Sequence, residues 1–109
     1  MGALEVFFIK KLGLIDTLRN ITQPILGICL GMQLLYARSE EGSVDTLGLI
    51  PGEVSALKTE SLPLPHMGWS PLRLQQAKHP LLHNIAPESY VYFVHSFACP
   101  INDCTVASA

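Results

Sequence analysis

A length of 109 residues caps the chain at one small domain, and 49% hydrophobic against 15% charged residues is apolar for that size. The high surface-to-volume ratio of a small protein favours polar surface, so this balance suits a piece of a larger core or a tight oligomer. A net charge of −2 excludes the basic footprint of a nucleic-acid or anionic-membrane binder.

Residues 3–20 predict a helix, with apolar positions at Leu4, Val6, Phe7, Phe8, Leu12, Leu14, Ile15 and Leu18 and a potential break at Gly13. Thr22-Gln23-Pro24 stops it, because the residue before proline avoids helical geometry. Residues 24–29 form an apolar run of strand length, suited to a strand buried on both faces of a parallel sheet. The pattern turns helical over 30–36, and residues 38–46 read as a polar, glycine-containing loop. Residues 47–51 are an apolar connection, 53–58 alternate weakly as a strand, and 61–71, with three prolines and a glycine, read as a loop. Strands are expected over 71–74 and over 90–98, the latter rich in Val, Tyr and Phe, with a single helical turn over 80–85 between them. The order of elements predicts an α/β fold.

The longest apolar stretch, residues 24–37, is too short to span a bilayer and contains Gly27 and Gly31. Glu5 stands where a signal peptide carries basic residues, and Val6 stands where a myristoylation motif needs Ser or Thr. Three cysteines at irregular spacing make no disulfide framework and suit a reducing compartment, so a soluble cytoplasmic chain is expected.

Gly27-Ile28-Cys29-Leu30-Gly31 is a Gly-x-Cys-x-Gly motif placed where an apolar run hands over to a helix. A nucleophile elbow needs this arrangement. The nucleophile occupies a strained turn, at positive φ, and the residues two positions either side approach too closely for a Cβ. The following helix N-terminus favours thiolate, and the Leu30 N–H is placed to donate to an oxyanion formed when Cys29 attacks an acyl group. The competing interpretation is a small buried cysteine in a core strand.

The longer segment Pro24-Ile25-Leu26-Gly27-Ile28-Cys29-Leu30-Gly31-Met32-Gln33-Leu34-Leu35 resembles the nucleophile segment of class I, triad-type glutamine amidotransferases. Ser39-Glu40-Glu41-Gly42, Leu62-Pro63-Leu64-Pro65-His66-Met67-Gly68-Trp69 and Tyr92-Phe93-Val94-His95-Ser96 narrow the resemblance to glutaminase subunits of imidazole glycerol phosphate synthase, from about residue 14 to the C-terminus. The resemblance implies a partial flavodoxin-like open-sheet domain: strand, nucleophile elbow and helix, then a β-rich segment. It implies a Cys29 thioester formed from glutamine, with the ammonia delivered to a (β/α)₈-barrel cyclase partner in histidine biosynthesis. Cys29 would be the nucleophile and Leu30 a backbone oxyanion donor. Gly27, Gly31, Gln33, Ser96 and Phe97 would border or hold glutamine, and Met67, Trp69 and Tyr92 would face the cyclase. No cofactor or metal is implied.

Residues 1–109 are expected to be the central fragment of one such domain, without the His-Pro-Glu segment that supplies the family's triad histidine and glutamate. The Pro-Gly-Val-Gly loop that completes its oxyanion hole is also expected to be missing, so the fragment alone is expected to be inactive. Without the resemblance, Gln33 reads as a solvated helix residue and Trp69 and Tyr92 as ordinary packing. His95 reads as a structural histidine whose ring bonds nearby, and His79-Pro80 lacks a following carboxylate. Rival classes are a metal site from His95, Cys99, Cys104 and Cys29, a non-catalytic interaction module, and another cysteine hydrolase or isomerase on the same sheet.

Overall fold

The computed structural model describes residues 2–109, with side chains from Glu5 onward. In chain order the elements are helices α1 (Gly2–Lys11), α2 (Leu14–Arg19) and α3 (Leu30–Leu35), then strands β1 (Tyr36–Ser39), β2 (Val44–Asp45), β3 (Ile50–Ala56), β4 (His66–Pro71) and β5 (Arg73–Leu74). A 3₁₀ turn at Pro80–Leu82 precedes β6 (Tyr90–His95), β7 (Phe97–Ala98) and β8 (Ala107–Ser108). They fall into two compact units: the chain up to Lys58 with Phe97–Pro100, and Thr59–Ser96 with Ile101–Ala109. The architecture is mixed α/β with open sheets.

In the first unit Gly13, at φ 67°, divides the N-terminal helical stretch into α1 and α2; this left-handed conformation suits a residue without Cβ. The sheet has the order β2-β1-β3-β7, with β1 and β3 parallel and both outer pairings antiparallel. Arg38 is the cross-strand neighbour of both Asp45 and Glu53, and its guanidinium lies 3.2 Å from each carboxylate. These exposed pairs specify register more than stability, each contributing about 0–1 kcal/mol. An extra residue on β3 shifts the register between Tyr36 and Arg38. Gly52, at φ 118°, lies in this irregular stretch, and a Cβ there would come within 2.8 Å of the Pro100 ring. Val54 is fully buried, with Tyr36, Leu47, Ser39 and Thr46 also buried. The Thr46 hydroxyl donates to the Tyr36 carbonyl, and Arg19 Nε donates to the Leu47 carbonyl at 2.9 Å.

In the second unit β4 and β6 pair antiparallel from His66↔His95 to Pro71↔Tyr90. Alternation puts Met67, Trp69, Pro71, Tyr90, Tyr92 and Val94 on an exposed face. The opposite, half-buried face carries His66, Val91, Phe93 and His95. β5 pairs antiparallel with β8, and the 3₁₀ turn buries Leu82. Among the described residues no helix is long and apolar enough to cross a membrane.

Several elements differ from the sequence-based expectation. Residues 24–28 form no strand; the run has no ladder partner among the described residues, and Leu26 and Ile28 are 84% and 74% exposed. A strand is defined by its neighbour, and composition alone does not supply one. The expected loop 38–46 contains the β1–β2 hairpin, turned by Gly42 and Ser43 at φ 75° and 50°. The expected loop 61–71 ends in β4, where Pro71 closes the strand rather than preventing it. The apolar stretch 90–98 is two strands in different sheets, interrupted at Ser96.

Candidate active site at Cys29

The elbow is built by local geometry. Cys29 caps α3 at φ 53°, ψ −113°, a backbone conformation that non-glycine residues rarely adopt and that clusters at functional sites. Helix starts at the next residue: Gln33 N–H donates to the Cys29 carbonyl at 3.1 Å, and Gly31 N–H to the Ile28 carbonyl at 3.0 Å. The thiol is exposed, so the competing interpretation of a small buried core cysteine does not describe it. The Leu30 N–H has no hydrogen-bond acceptor among the described residues.

The two glycines of the motif have different surroundings. A Cβ on Gly27 would lie 2.7 Å from both the Gly31 carbonyl oxygen and the Met32 nitrogen, a separation no side chain tolerates. A Cβ on Gly31 would meet nothing within 4 Å. The expectation that both flanking glycines answer a steric demand therefore holds at Gly27 and is corrected at Gly31. What crowds Gly27 is the backbone of the first helical turn, whereas Gly31 projects into open space.

Gln33, one turn beyond the thiol, is buried rather than solvated. Its amide oxygen accepts from the Ser39 hydroxyl at 2.9 Å and its amide nitrogen donates to Glu41 Oε2 at 2.9 Å. Ser39 Oγ in turn accepts from the Glu41 N–H at 3.2 Å. This network ties the helix after Cys29 to the β1–β2 turn. Glu41 is a site neighbour that pattern reasoning passed over; its place in Ser-Glu-Glu-Gly, eight residues after Gln33, was the available signal. Ser39→Ala should leave the buried Gln33 oxygen and the Glu41 N–H short of a partner. The expected cost is about 1–3 kcal/mol, read as a lower denaturant midpoint at unchanged m-value.

Ser96 lies between β6 and β7, in the second unit, and Phe97 begins β7 in the first. Trp69 and Tyr92 are direct cross-strand neighbours, with ring centroids 5.5 Å apart in edge-to-face contact. With Met67 they lie on the exposed face of their sheet, so ordinary core packing is not their role. His66 Nδ1 and His95 Nε2 are hydrogen-bonded at 3.2 Å, the nearby bond expected of His95. The His79 ring nitrogen accepts from the Leu81 N–H and caps the 3₁₀ turn, while His83 is exposed. Among the described residues no group of three or more His, Cys, Asp or Glu side chains is placed to hold a metal ion.

All three cysteines are free thiols. Burial pushes the Cys99 thiol above its ordinary range, partly offset by a hydrogen bond with Tyr36. The sign is clear: a raised thiol carries less thiolate at a given pH, and thiolate is the nucleophile. With iodoacetamide near neutral pH, Cys29 should be alkylated first and Cys99 last. Peptide mapping over time checks this order, and Cys99 should gain on the others as pH rises.

A strained, exposed cysteine heads a helix, with a glycine pressed against that helix's first turn, the geometry a nucleophile elbow requires. The match to glutamine amidotransferase class-I extends over residues 8–108. The chain belongs to the class-I glutamine amidotransferase family, an enzyme family. Among named relatives it is 50% identical over 101 residues to imidazole glycerol phosphate synthase subunit HisH of Idiomarina loihiensis, covering 93% of this chain and 50% of the relative. It is 50% identical over 100 residues to the HisH subunit of Vibrio cholerae, covering 86% and 49%. To that of Mannheimia succiniciproducens it is 46% identical over 109 residues, covering 100% and 55%. The chain thus spans about half the length of the curated relatives it matches.

Proposed function

We propose that this chain is the nucleophile-bearing, central part of the glutaminase subunit of an imidazole glycerol phosphate synthase, serving histidine biosynthesis in the cytoplasm. The observation that carries the reading is the Cys29 elbow: positive φ at an exposed thiol, helix from the next residue, and Gly27 packed against its first turn. The similarity to HisH subunits at about half identity supports the choice of reaction.

In this reading the Cys29 thiolate attacks the carboxamide carbon of glutamine. Charge develops on the former carbonyl oxygen, and the unengaged Leu30 N–H donates to it. Collapse of the tetrahedral adduct breaks the C–N bond, releases ammonia once its nitrogen is protonated, and leaves a thioester on Cys29. Water then hydrolyses the thioester to glutamate. Gly27 and Gly31 border the thiol. Gln33 supplies an amide near the substrate, and the backbone of Ser96 and Phe97 holds its amino-acid head. Ammonia passes to a (β/α)₈-barrel cyclase, which docks in a heterodimer on Met67, Trp69 and Tyr92. The general acid and base of turnover lie on polypeptide beyond these 109 residues; the bonding of His66, His79 and His95 supports this.

The same exposed apolar face favours a second reading, a docking module without chemistry. One experiment separates the two: incubation with a glutamine analogue bearing a diazoketone in place of the carboxamide. The catalytic reading expects one covalent increment, on Cys29, slowed by excess glutamine and absent from Cys29→Ala. Equal labelling of all three cysteines, or no protection by glutamine, would leave only the docking module.

A further inference from the structure

We propose that Ser39 is a positioning residue for the glutamine substrate, acting through the side-chain amide of Gln33. This inference rests on the reading of Gln33 as an amide near the substrate. Cys29, Gln33, Ser39 and Glu41 all belong to the first compact unit. The Gln33 backbone N–H donates to the Cys29 carbonyl at 3.1 Å, so its side chain starts one helical turn from the thiol. Whatever holds that amide therefore holds a polar group at a set place relative to Cys29.

The bonds around the amide run in one direction. The Glu41 N–H donates to Ser39 Oγ at 3.2 Å, which leaves the hydroxyl proton to be given elsewhere. That proton goes to Gln33 Oε1 at 2.9 Å, and Gln33 Nε2 donates to Glu41 Oε2 at 2.9 Å. A carboxylate only accepts, so a flipped amide would set its oxygen against Glu41, acceptor against acceptor. Ser39, 2% exposed, bonds both to the amide and to the Glu41 backbone. Without its hydroxyl the amide oxygen loses its donor, the Glu41 turn loses its acceptor, and the amide is free to rotate about its last side-chain bond.

The test is labelling of Cys29 by the diazoketone glutamine analogue over a range of concentrations. Ser39→Ala should raise the half-saturating concentration about tenfold, the equivalent of one hydrogen bond of ordinary strength. The concentration of glutamine needed to protect Cys29 should rise with it. The limiting labelling rate and the iodoacetamide rate at Cys29 should stay at their wild-type values, because the elbow itself is untouched. Ser39→Thr keeps the hydroxyl, in a strand position that suits a β-branched residue, and should restore most of the affinity. Val6→Ala truncates a buried residue of α1, and should lower the denaturant midpoint while leaving the half-saturating concentration unchanged.

An unchanged half-saturating concentration in Ser39→Ala would overturn the proposal, as would a matching fall in its iodoacetamide rate. Equal weakening in Ser39→Thr, or in Val6→Ala, would also overturn it and leave Ser39 a structural residue. Absence of saturable, glutamine-protected labelling in the wild-type chain would overturn the glutamine reading and this proposal with it. Saturable wild-type labelling that Ser39→Ala leaves alone would overturn this proposal only. Should Ser39→Ala not fold, Ser39→Cys decides. A thiol donates and accepts only weakly, so half-saturation should rise in the same direction, and no rise would overturn the proposal.

Discussion

Ammonia release from glutamine by the 109-residue chain is expected to stay at the level of its Cys29→Ala variant, even where the diazoketone analogue labels Cys29 stoichiometrically as expected. Trapping Cys29 with the diazoketone analogue and turning glutamine over make different demands. The first needs a placed nucleophile and an oxyanion donor, the roles proposed for Cys29 and for the free Leu30 N–H. The second needs a group to protonate departing ammonia and a base to activate water, each worth roughly 10²–10⁴-fold in rate. The histidines are otherwise engaged: His66 with His95, and His79 with the Leu81 N–H. His83 is exposed, with no bond to orient its ring among the described residues. A second oxyanion donor would add about 10²–10³ more. The assay is coupled ammonia detection on both chains. Cysteine-dependent turnover at about 1 s⁻¹ or above, the ordinary range of enzymes, would show that one of these histidines is the base.

The second large effect is expected at Gly27. Its φ is not positive, so the demand there is purely steric. A methyl group 2.7 Å from the Gly31 carbonyl oxygen and the Met32 nitrogen meets backbone on both counts, and backbone cannot rotate aside. Gly27→Ala must push α3 away from the preceding peptide, at a cost of about 1–3 kcal/mol. Because Cys29 joins the two, its strained φ should relax, and its lead over the other thiols in alkylation should disappear. Gly31→Ala is the control: its methyl enters open space, and alanine is the better helix former by about 1 kcal/mol. Thermal melting and competitive alkylation of the two variants check the contrast. Equal losses in both, or none in either, would mean that the close approach at Gly27 is not what shapes the elbow.

Legibility in the sequence followed the range of the forces involved. The elbow was readable because a tight turn is settled within a few residues: Gly27, the cysteine and the helical pattern after it all act locally, whereas the demand expected at Gly31 is absent. The apolar run at 24–29 reads as a buried strand, yet a strand also needs a neighbour, and no local pattern shows whether one exists. The prolines at 63, 65 and 71 masked β4. They permit a strand between them, and the pairing that makes it one comes from Tyr90–His95. The break at Ser96 was not legible because Val, Tyr and Phe dominate 90–98 on both sides of His95-Ser96; what divides the stretch is a change of partner.

Side-chain environments were legible only in part. A glutamine one turn after the thiol reads as solvated, and Ser39 and Glu41 bury it instead, through a turn whose bonds depend on the fold. The exposed setting of Trp69 and Tyr92 followed from alternation once β4 and β6 were paired, and not before. The His66–His95 bond joins two segments whose register no spacing rule connects.

The pairing of β3 with β7 has a consequence for how the chain folds. Arg38 and Asp45, partners in the β1–β2 hairpin, are a few residues apart, whereas Ser55 and Ala98 lie on either side of nearly the whole second unit. Closing a loop costs entropy that grows with its length, by about 0.6 kcal/mol for each doubling if the loop is flexible, and non-local pairings slow folding. If the β4–β6 ladder forms first, it shortens the effective loop and draws Phe97 towards β3. The expected order of assembly is then hairpin, β4–β6 ladder, and last the two-residue ladder Ser55↔Ala98 and Ala56↔Phe97 that closes the long loop.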